Sequence, residues 1–388
     1  MASSELKREL GVAGAVLIGL GSILGTGVFV VIALGVEMTG LYVLAAILVA
    51  ALVATCNGLN SAQLAANYPV AGGTYEYGYR LLTPALGFTA GWMFLLAKSA
   101  SAATAALAIA RRFADVPWQI PVALGVIVLM TAVILGGLRR TSLVNLVIVS
   151  LTLLALLAFV LGGVRMAAPG TTPAGGDVFS FFEVCALIFV GYTGYGRIAT
   201  MGGEIRDPRK NIPLAMFLTL GASALLYLGV AWAQLRGAPY PALWRVGEVT
   251  ALLGVLLNLV LGLSRILYAM GLRGDMPGRF GRVGAAGQPA AAVVGVAVLI
   301  CMLVGLGDIK LAWSFSTFTV LVYYSICNLA ALRLRPEQTL YPRLIGYAGL
   351  ASCVFLAFWV DWRAWSSGLV LIGLGLLWHR WRRVSATS

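Results

Sequence analysis

The sequence is short of ionisable side chains. Only 11% of its 388 residues are charged, 14 of them Asp or Glu, and there is a single histidine. His379 stands beside a basic C-terminal stretch, so histidine-based metal or acid–base chemistry has no material to work with. The five cysteines, Cys56, Cys185, Cys301, Cys327 and Cys353, lie inside apolar runs at irregular spacing. That is the placement of small buried residues, neither a disulfide framework nor a metal set. Within the apolar runs there is no cluster of His, Asp, Glu or Cys and no nucleophile with an adjacent base, which argues against a membrane enzyme. No cofactor is expected. No stretch is long and polar enough for a separate soluble domain.

What the chain has instead is apolar length. It is 60% hydrophobic, and its mean hydropathy is +0.94, so its solvent is lipid. The first apolar run begins about ten residues in and is followed by many others, which reads as a retained span and not a cleaved signal. Twelve runs follow one another: Leu10 to Val36, Leu41 to Ala66, Ala85 to Ala110, Ile120 to Gly137, Leu143 to Val164, Val178 to Gly202, Pro213 to Leu235, Val249 to Leu272, Ala290 to Gly307, Leu311 to Leu332, Leu344 to Val360, and a short last one from Gly368 to Trp381. Most are near the roughly twenty residues that a bilayer requires.

The net charge of +13 falls mostly between these runs, so it is read as topology and not as a nucleic-acid footprint. With the N-terminus in the cytoplasm, the inner segments carry seventeen Lys or Arg, from Lys7 and Arg8 to Arg382 and Arg383. The outer loops carry seven: Arg111, Arg112, Arg165, Arg236, Arg245, Lys310 and Arg363. Lys98, Arg197 and Arg265 remain within spans. The bias predicts a multi-pass protein of a bacterial inner membrane with both termini cytoplasmic.

The first run holds poor helix residues at its centre, GSILGTGVF from Gly21 to Phe29. A broken helix at mid-membrane is tolerated only where protein or a water-filled cavity surrounds it, and such breaks mark transporter substrate sites. The competing reading is a glycine face for close helix packing. The sixth run repeats the signal with Gly191, Gly194 and Gly196 around Tyr192, Thr193 and Tyr195. An offset of five spans inverts its direction. Paired interruptions in two inverted halves favour the site reading over the packing one.

Segments flanking these spans carry a resemblance. YPVAGGTYEYGYRLLTPALGFTAGW (Tyr68 to Trp92), GGEIRDPRKNIPLA (Gly202 to Ala215) and LSRILYAMGLRGDMP (Leu263 to Pro277) occur in order with GSILGTGVF. Together they resemble the amino acid, polyamine and organocation permease superfamily. The resemblance covers spans one to ten. It implies an all-α integral membrane protein of LeuT-type fold with 12 transmembrane helices. These would form a 5+5 inverted repeat with discontinuous helices 1 and 6: a first half at 1–165, a second at 166–335, and a peripheral hairpin with a basic tail at 336–388. It also implies proton-coupled, sodium-coupled or exchange transport of amino acids or amines.

Residues for that task follow from the two breaks. Amides of Gly25, Thr26 and Gly27, at the positive end of a half-helix, suit an amino acid carboxylate, with Ser22 and Ile23 just before them. Carbonyls of Gly191, Tyr192 and Thr193, ahead of Gly194, suit an ammonium group. Related permeases often carry a gating aromatic where Val190 stands, so here the pocket is roomier or Phe189 takes that role; a packing aromatic is the plainer reading. Many sodium-independent members place a lysine in span five, at a position that falls on Thr152, whose neutral hydroxyl cannot replace it. Lys98, in span three, is the expected internal charge, either fixed or exchanging a proton during transport; a static, snorkelling lysine is the alternative. In a second reading Thr152 helps ligate sodium. Arg197 is expected to pair with Glu76 or Glu204 as an inner gate, with a static, snorkelling helix-end arginine as the alternative. Glu183 reads as an interface residue. With no acidic residue near the breaks, a neutral amino acid is favoured. A sensor that binds without transporting stays open, as do oligomeric state and an anionic side chain on the substrate.

Overall fold

A computed structural model describes residues 11–68, 72–164, 176–200, 205–237, 241–284, 289–305 and 307–387. They are helical almost throughout, as lipid demands of a chain whose backbone must satisfy its own hydrogen bonds. The first span is α1 (Val12–Ile23), a π-helical turn (Gly27–Val31) and α2 (Ile32–Thr39). Next come α3 (Val43–Asn67), α4 (Thr74–Leu81), α5 (Pro84–Phe113), α6 (Val116–Leu135) and α7 (Leu138–Val164). The sixth span is α8 (Val178–Tyr192), a 3-10 turn (Thr193–Tyr195) and α9 (Gly196–Thr200). Then follow α10 (Pro208–Leu235), α11 (Pro241–Arg273), α12 (Ala290–Val304), α13 (Ile309–Leu332), α14 (Arg343–Ala357) and α15 (Trp362–Thr387).

Helix ends follow local chemistry. Thr83 Oγ1 accepts the Leu86 N–H at 3.2 Å ahead of Pro84, and Asp177 Oδ1 accepts the Ser180 N–H at 2.8 Å. Both are N-caps that satisfy donors a helix start leaves bare. Gly40, between α2 and α3, has φ 54°, a left-handed conformation that suits glycine. Part of the segment between spans two and three is not loop: Thr74 to Leu81 forms the amphipathic α4.

Eight helices among the described residues are long and apolar enough to cross a bilayer, or nine if α14 and α15, bent by 115°, count as one span. The shortfall from twelve has identifiable causes. The break leaves α1 with 12 residues, the second half of that span runs on into α3 as one helical stretch from Gly27 to Asn67, and α12 has only 15. Twelve crossings require counting the shorter helices as spans.

Burial separates inner from outer helices. The most apolar stretch of α5 is 89% buried and that of α13 78%, against 28% in α6 and α7. The outer face of α7 shows Leu143, Leu146, Leu154, Leu157 and Leu161, side chains suited to lipid. Neighbour pairs recur at an offset of five spans: α5 packs on α13 and α11 on α7, α1 on α10 and α8 on α3, α5 on α6 and α11 on α12. Because α5 touches both α11 and α13, the helix carrying Lys98 stands at the centre of the molecule.

Candidate functional site

Break one begins where Leu24 turns to φ −77°, ψ 91°, its N–H still bonded to the Leu20 carbonyl. The next ladder opens at the Gly25 carbonyl, which accepts the N–H groups of Val28 and Phe29, each at 3.1 Å. The amides of Gly25, Thr26 and Gly27 lie ahead of that ladder, at the positive end of the following half-helix. Thr26 Oγ1 is buried and has no hydrogen-bond partner among the described residues. Ser22 Oγ is spent on its own helix, donating to the Ile18 carbonyl at 2.9 Å. The Ile23 carbonyl accepts the hydroxyl of Tyr227, from α10, at 3.2 Å.

Break two is built differently. The helix is not unwound between Gly191 and Gly194; it tightens to a 3-10 turn at Thr193 and resumes as α9. Thr193 makes that turn, its hydroxyl donating to the Val190 carbonyl at 2.6 Å. Lys98 Nζ, on α5, donates to the same Thr193 oxygen at 2.6 Å. Tyr324, on α13, donates its hydroxyl to the Thr193 carbonyl at 3.3 Å. Phe189 and Val190 are buried, and the Phe189 ring stands edge-on to Tyr324 with centroids 5.7 Å apart. Tyr192 packs its ring on Tyr227 at 4.8 Å.

The two breaks meet backbone to backbone. A Cβ on Gly27 would lie 2.7 Å from Gly191 Cα and 2.6 Å from Tyr227 Oη. One on Gly194 would lie 2.5 Å from the carbonyl carbon and oxygen of Ser22. A Cβ on Gly25 would overlap the Val255 side chain. In this state the site is closed on itself, and glycine at 27 and 194 is what lets it close.

Thr152 sits apart from that contact. Its hydroxyl donates to the Ile148 carbonyl at 2.9 Å and lies 3.0 Å from Thr250 Oγ1 on α11. Beside it is a cavity of about 10 Å³, bordered by Gly21, Leu24, Val149, Ala251 and Gly254, room for one water-sized species. Of the expected gating residues, Glu76 is engaged by Arg273 at 2.5 Å and by Arg80 at 3.8 Å. Arg197 turns toward α11, where a Cβ on Gly262 would come within 2.6 Å of its Nη1. Glu204 lies outside the described residues. Glu183, nearly buried, pairs with Lys310 at 3.0 Å, joining α8 to α13.

Sequence reasoning missed Tyr227, Tyr324 and Trp313, whose indole N–H reaches the Leu187 carbonyl at 3.0 Å. Their signal is a polar-tipped aromatic inside an otherwise apolar run, which needs a hydrogen-bond partner once buried. Which carbonyl each one finds is a matter of tertiary packing.

Comparison with known proteins identifies the family. The sequence model of the family "Amino acid permease" matches residues 14–245 and 239–379. An uncharacterised transporter of Mycobacterium tuberculosis is 37% identical over 408 residues, covering 98% of this chain and 92% of the relative. The branched-chain amino acid permease BcaP of Bacillus subtilis is 25% identical over 439 residues, covering 96% and 92%. Human cationic amino acid transporter 4 is 26% identical over 396 residues, covering 89% of this chain and 62% of that protein. Matched over nearly its whole length, the chain belongs to the amino acid permease family and is a multi-pass membrane transporter, not an enzyme.

Proposed function

We propose that the protein is a secondary active transporter of neutral amino acids that works by alternating access, with proton coupling or exchange. The observation that carries this reading is the Lys98 ammonium 2.6 Å from Thr193, buried beside the point where the two breaks touch. A buried cation there favours a substrate carboxylate over a cationic side chain. The carboxylate is received by the amides of residues 25–27 and the ammonium by carbonyls at the breaks. Acidic side chains that would draw a cationic substrate are instead paired elsewhere, Glu76 with Arg273, Glu183 with Lys310 and Glu248 with Arg112. The name of the Bacillus subtilis relative, a branched-chain amino acid permease, agrees with a neutral substrate.

The twelve-helix arrangement of the LeuT type belongs to the same proposal. It is supported by helix contacts that recur five spans apart, with halves at 1–165 and 166–335 and a hairpin and tail at 336–388. The excess of Lys and Arg on one set of loops supports cytoplasmic termini in a bacterial inner membrane. In the mechanism, Lys98 carries the internal positive charge and Phe189 covers the substrate, while Arg197 and Glu76 lie on the inner closure.

A second reading has its own support. A small cavity is bordered by Thr152, and the Thr152 hydroxyl, 3.0 Å from Thr250 Oγ1, is an oxygen that a sodium ion could use there. Uptake of isotope-labelled amino acids into proteoliposomes, under an imposed proton gradient and separately a sodium gradient, tests both. Accumulation driven by protons supports the first reading, and accumulation driven by sodium supports the second. Binding in a thermal-shift screen of the twenty amino acids with neither accumulation nor exchange would mean a sensor.

A further inference from the structure

At each break a carbonyl already holds a tyrosine hydroxyl. Tyr227 donates to Ile23 at break one and Tyr324 to Thr193 at break two, at 3.2 and 3.3 Å. A phenol has one proton to donate, so each carbonyl takes the only donor its tyrosine has. Both rings are fully buried and held by aromatic neighbours, Tyr227 by Tyr192 and Tyr324 by Phe189 and Tyr195. Neither tyrosine belongs to a broken span; they come from α10 and α13.

We propose that Tyr227 and Tyr324 stand in for the substrate's ammonium group, so that the carrier closes and reorients empty and performs net transport instead of obligatory exchange. The inference rests on the proposed amino acid transport and decides between its two modes. The physical reason is the cost of a bare buried carbonyl. Without Tyr227, a closed site with no substrate would leave the Ile23 carbonyl without a donor among the described residues, beside a contact too tight for water where Gly27 meets Gly191; the Thr193 carbonyl keeps the Gly196 N–H of its own turn and would lose only its second donor. An exchanger gains from that cost, because it holds the carrier open until a second substrate arrives. Here Tyr227 removes that cost at Ile23, and Tyr324 gives the Thr193 carbonyl a second donor beside the Gly196 N–H. When substrate enters, its ammonium displaces the two hydroxyls, and α10 and α13 lose a tie to the breaks that they keep only in the empty, closed form.

The test is a pair of fluxes in proteoliposomes, using a labelled neutral amino acid chosen by thermal shift. Net uptake is measured into vesicles without internal substrate, and exchange into vesicles preloaded with the unlabelled form. Wild type is expected to give net uptake comparable with exchange. In Tyr227→Phe the ratio of net uptake to exchange falls on the order of tenfold, as for a bare buried carbonyl, and in Tyr324→Phe it falls by less, because the Gly196 N–H still holds Thr193. Residual exchange reports that a variant is folded, and a merely structural role would lower both fluxes together and leave the ratio unchanged. A wild type that exchanges but shows no net uptake overturns the inference while amino acid transport stands. An unchanged ratio in both variants also overturns it. No flux of either kind in wild type overturns the proposed transport itself, and the inference with it.

Discussion

The two glycine-marked interruptions use similar residues to make different structures. At break one the backbone departs from helix at Leu24 and restarts from the Gly25 carbonyl, with the amides of residues 25–27 ahead of the new ladder. At break two the backbone stays close to helical, and it is side chains that change the local chemistry: Thr193 caps Val190, and Lys98 and Tyr324 bind Thr193. One break is made by the backbone and the other by side chains that converge on Thr193. The difference also shows what a glycine is for: Gly27 and Gly194 are there for backbone contact between the breaks, as between packed membrane helices, so the site and packing readings of these glycines are not alternatives.

The largest effects are expected where that contact is made. Gly27→Ala and Gly194→Ala put a methyl into backbone that cannot yield, so uptake falls to background and stability drops by ~1–3 kcal/mol, the usual range for overpacking. Gly21→Ala, whose Cβ would meet only Val149 at 3.8 Å, stays near wild type in uptake and melting temperature. Equal damage at Gly21 would break the distinction.

Next is the charge at break two. Lys98→Ala is expected to remove the response of uptake to an imposed proton gradient while substrate binding by thermal shift is weakened less. Proton-driven uptake unchanged by this substitution would reject the coupling role. Thr193→Val keeps the shape of the side chain but removes the acceptor of Lys98 and the cap on Val190. It is expected to lower uptake on the order of tenfold, because a buried ammonium loses its partner. Thr152→Val should have the smallest effect of this group, within about twofold in a proton-driven assay, since its hydroxyl bonds mainly within its own helix and to Thr250. A collapse of uptake in Thr152→Val, restored by no proton gradient, would transfer the coupling site to sodium.

How far the sequence could be read follows the same division. Gly25 and Gly27 announce a break because glycine weakens a helix and the interruption recurs in the sixth run, and Lys98 stands out because a lysine in lipid is expensive. The form of break two is not legible, since its 3-10 turn is made by Thr193 and by donors from α5 and α13, residues 95 and 131 positions away. The same limit applies to Glu76. Its partner Arg273 is 197 positions along the chain, and nothing local distinguishes that arginine from Arg197. Helix α4 was hidden because a short amphipathic helix between two spans has the polarity of a loop. The number of long helices falls below the twelve apolar runs partly because the break leaves α1 with only 12 residues.

The most direct measurement is a structure determined with a bound neutral amino acid. The account predicts that the contact between Gly27 and Gly191 opens, with the substrate carboxylate on the amides of residues 25–27 and its ammonium on the carbonyls of Ile23 and Thr193. A ligand seated elsewhere, with Gly27 still against Gly191 and both tyrosine hydroxyls still on their carbonyls, would contradict it.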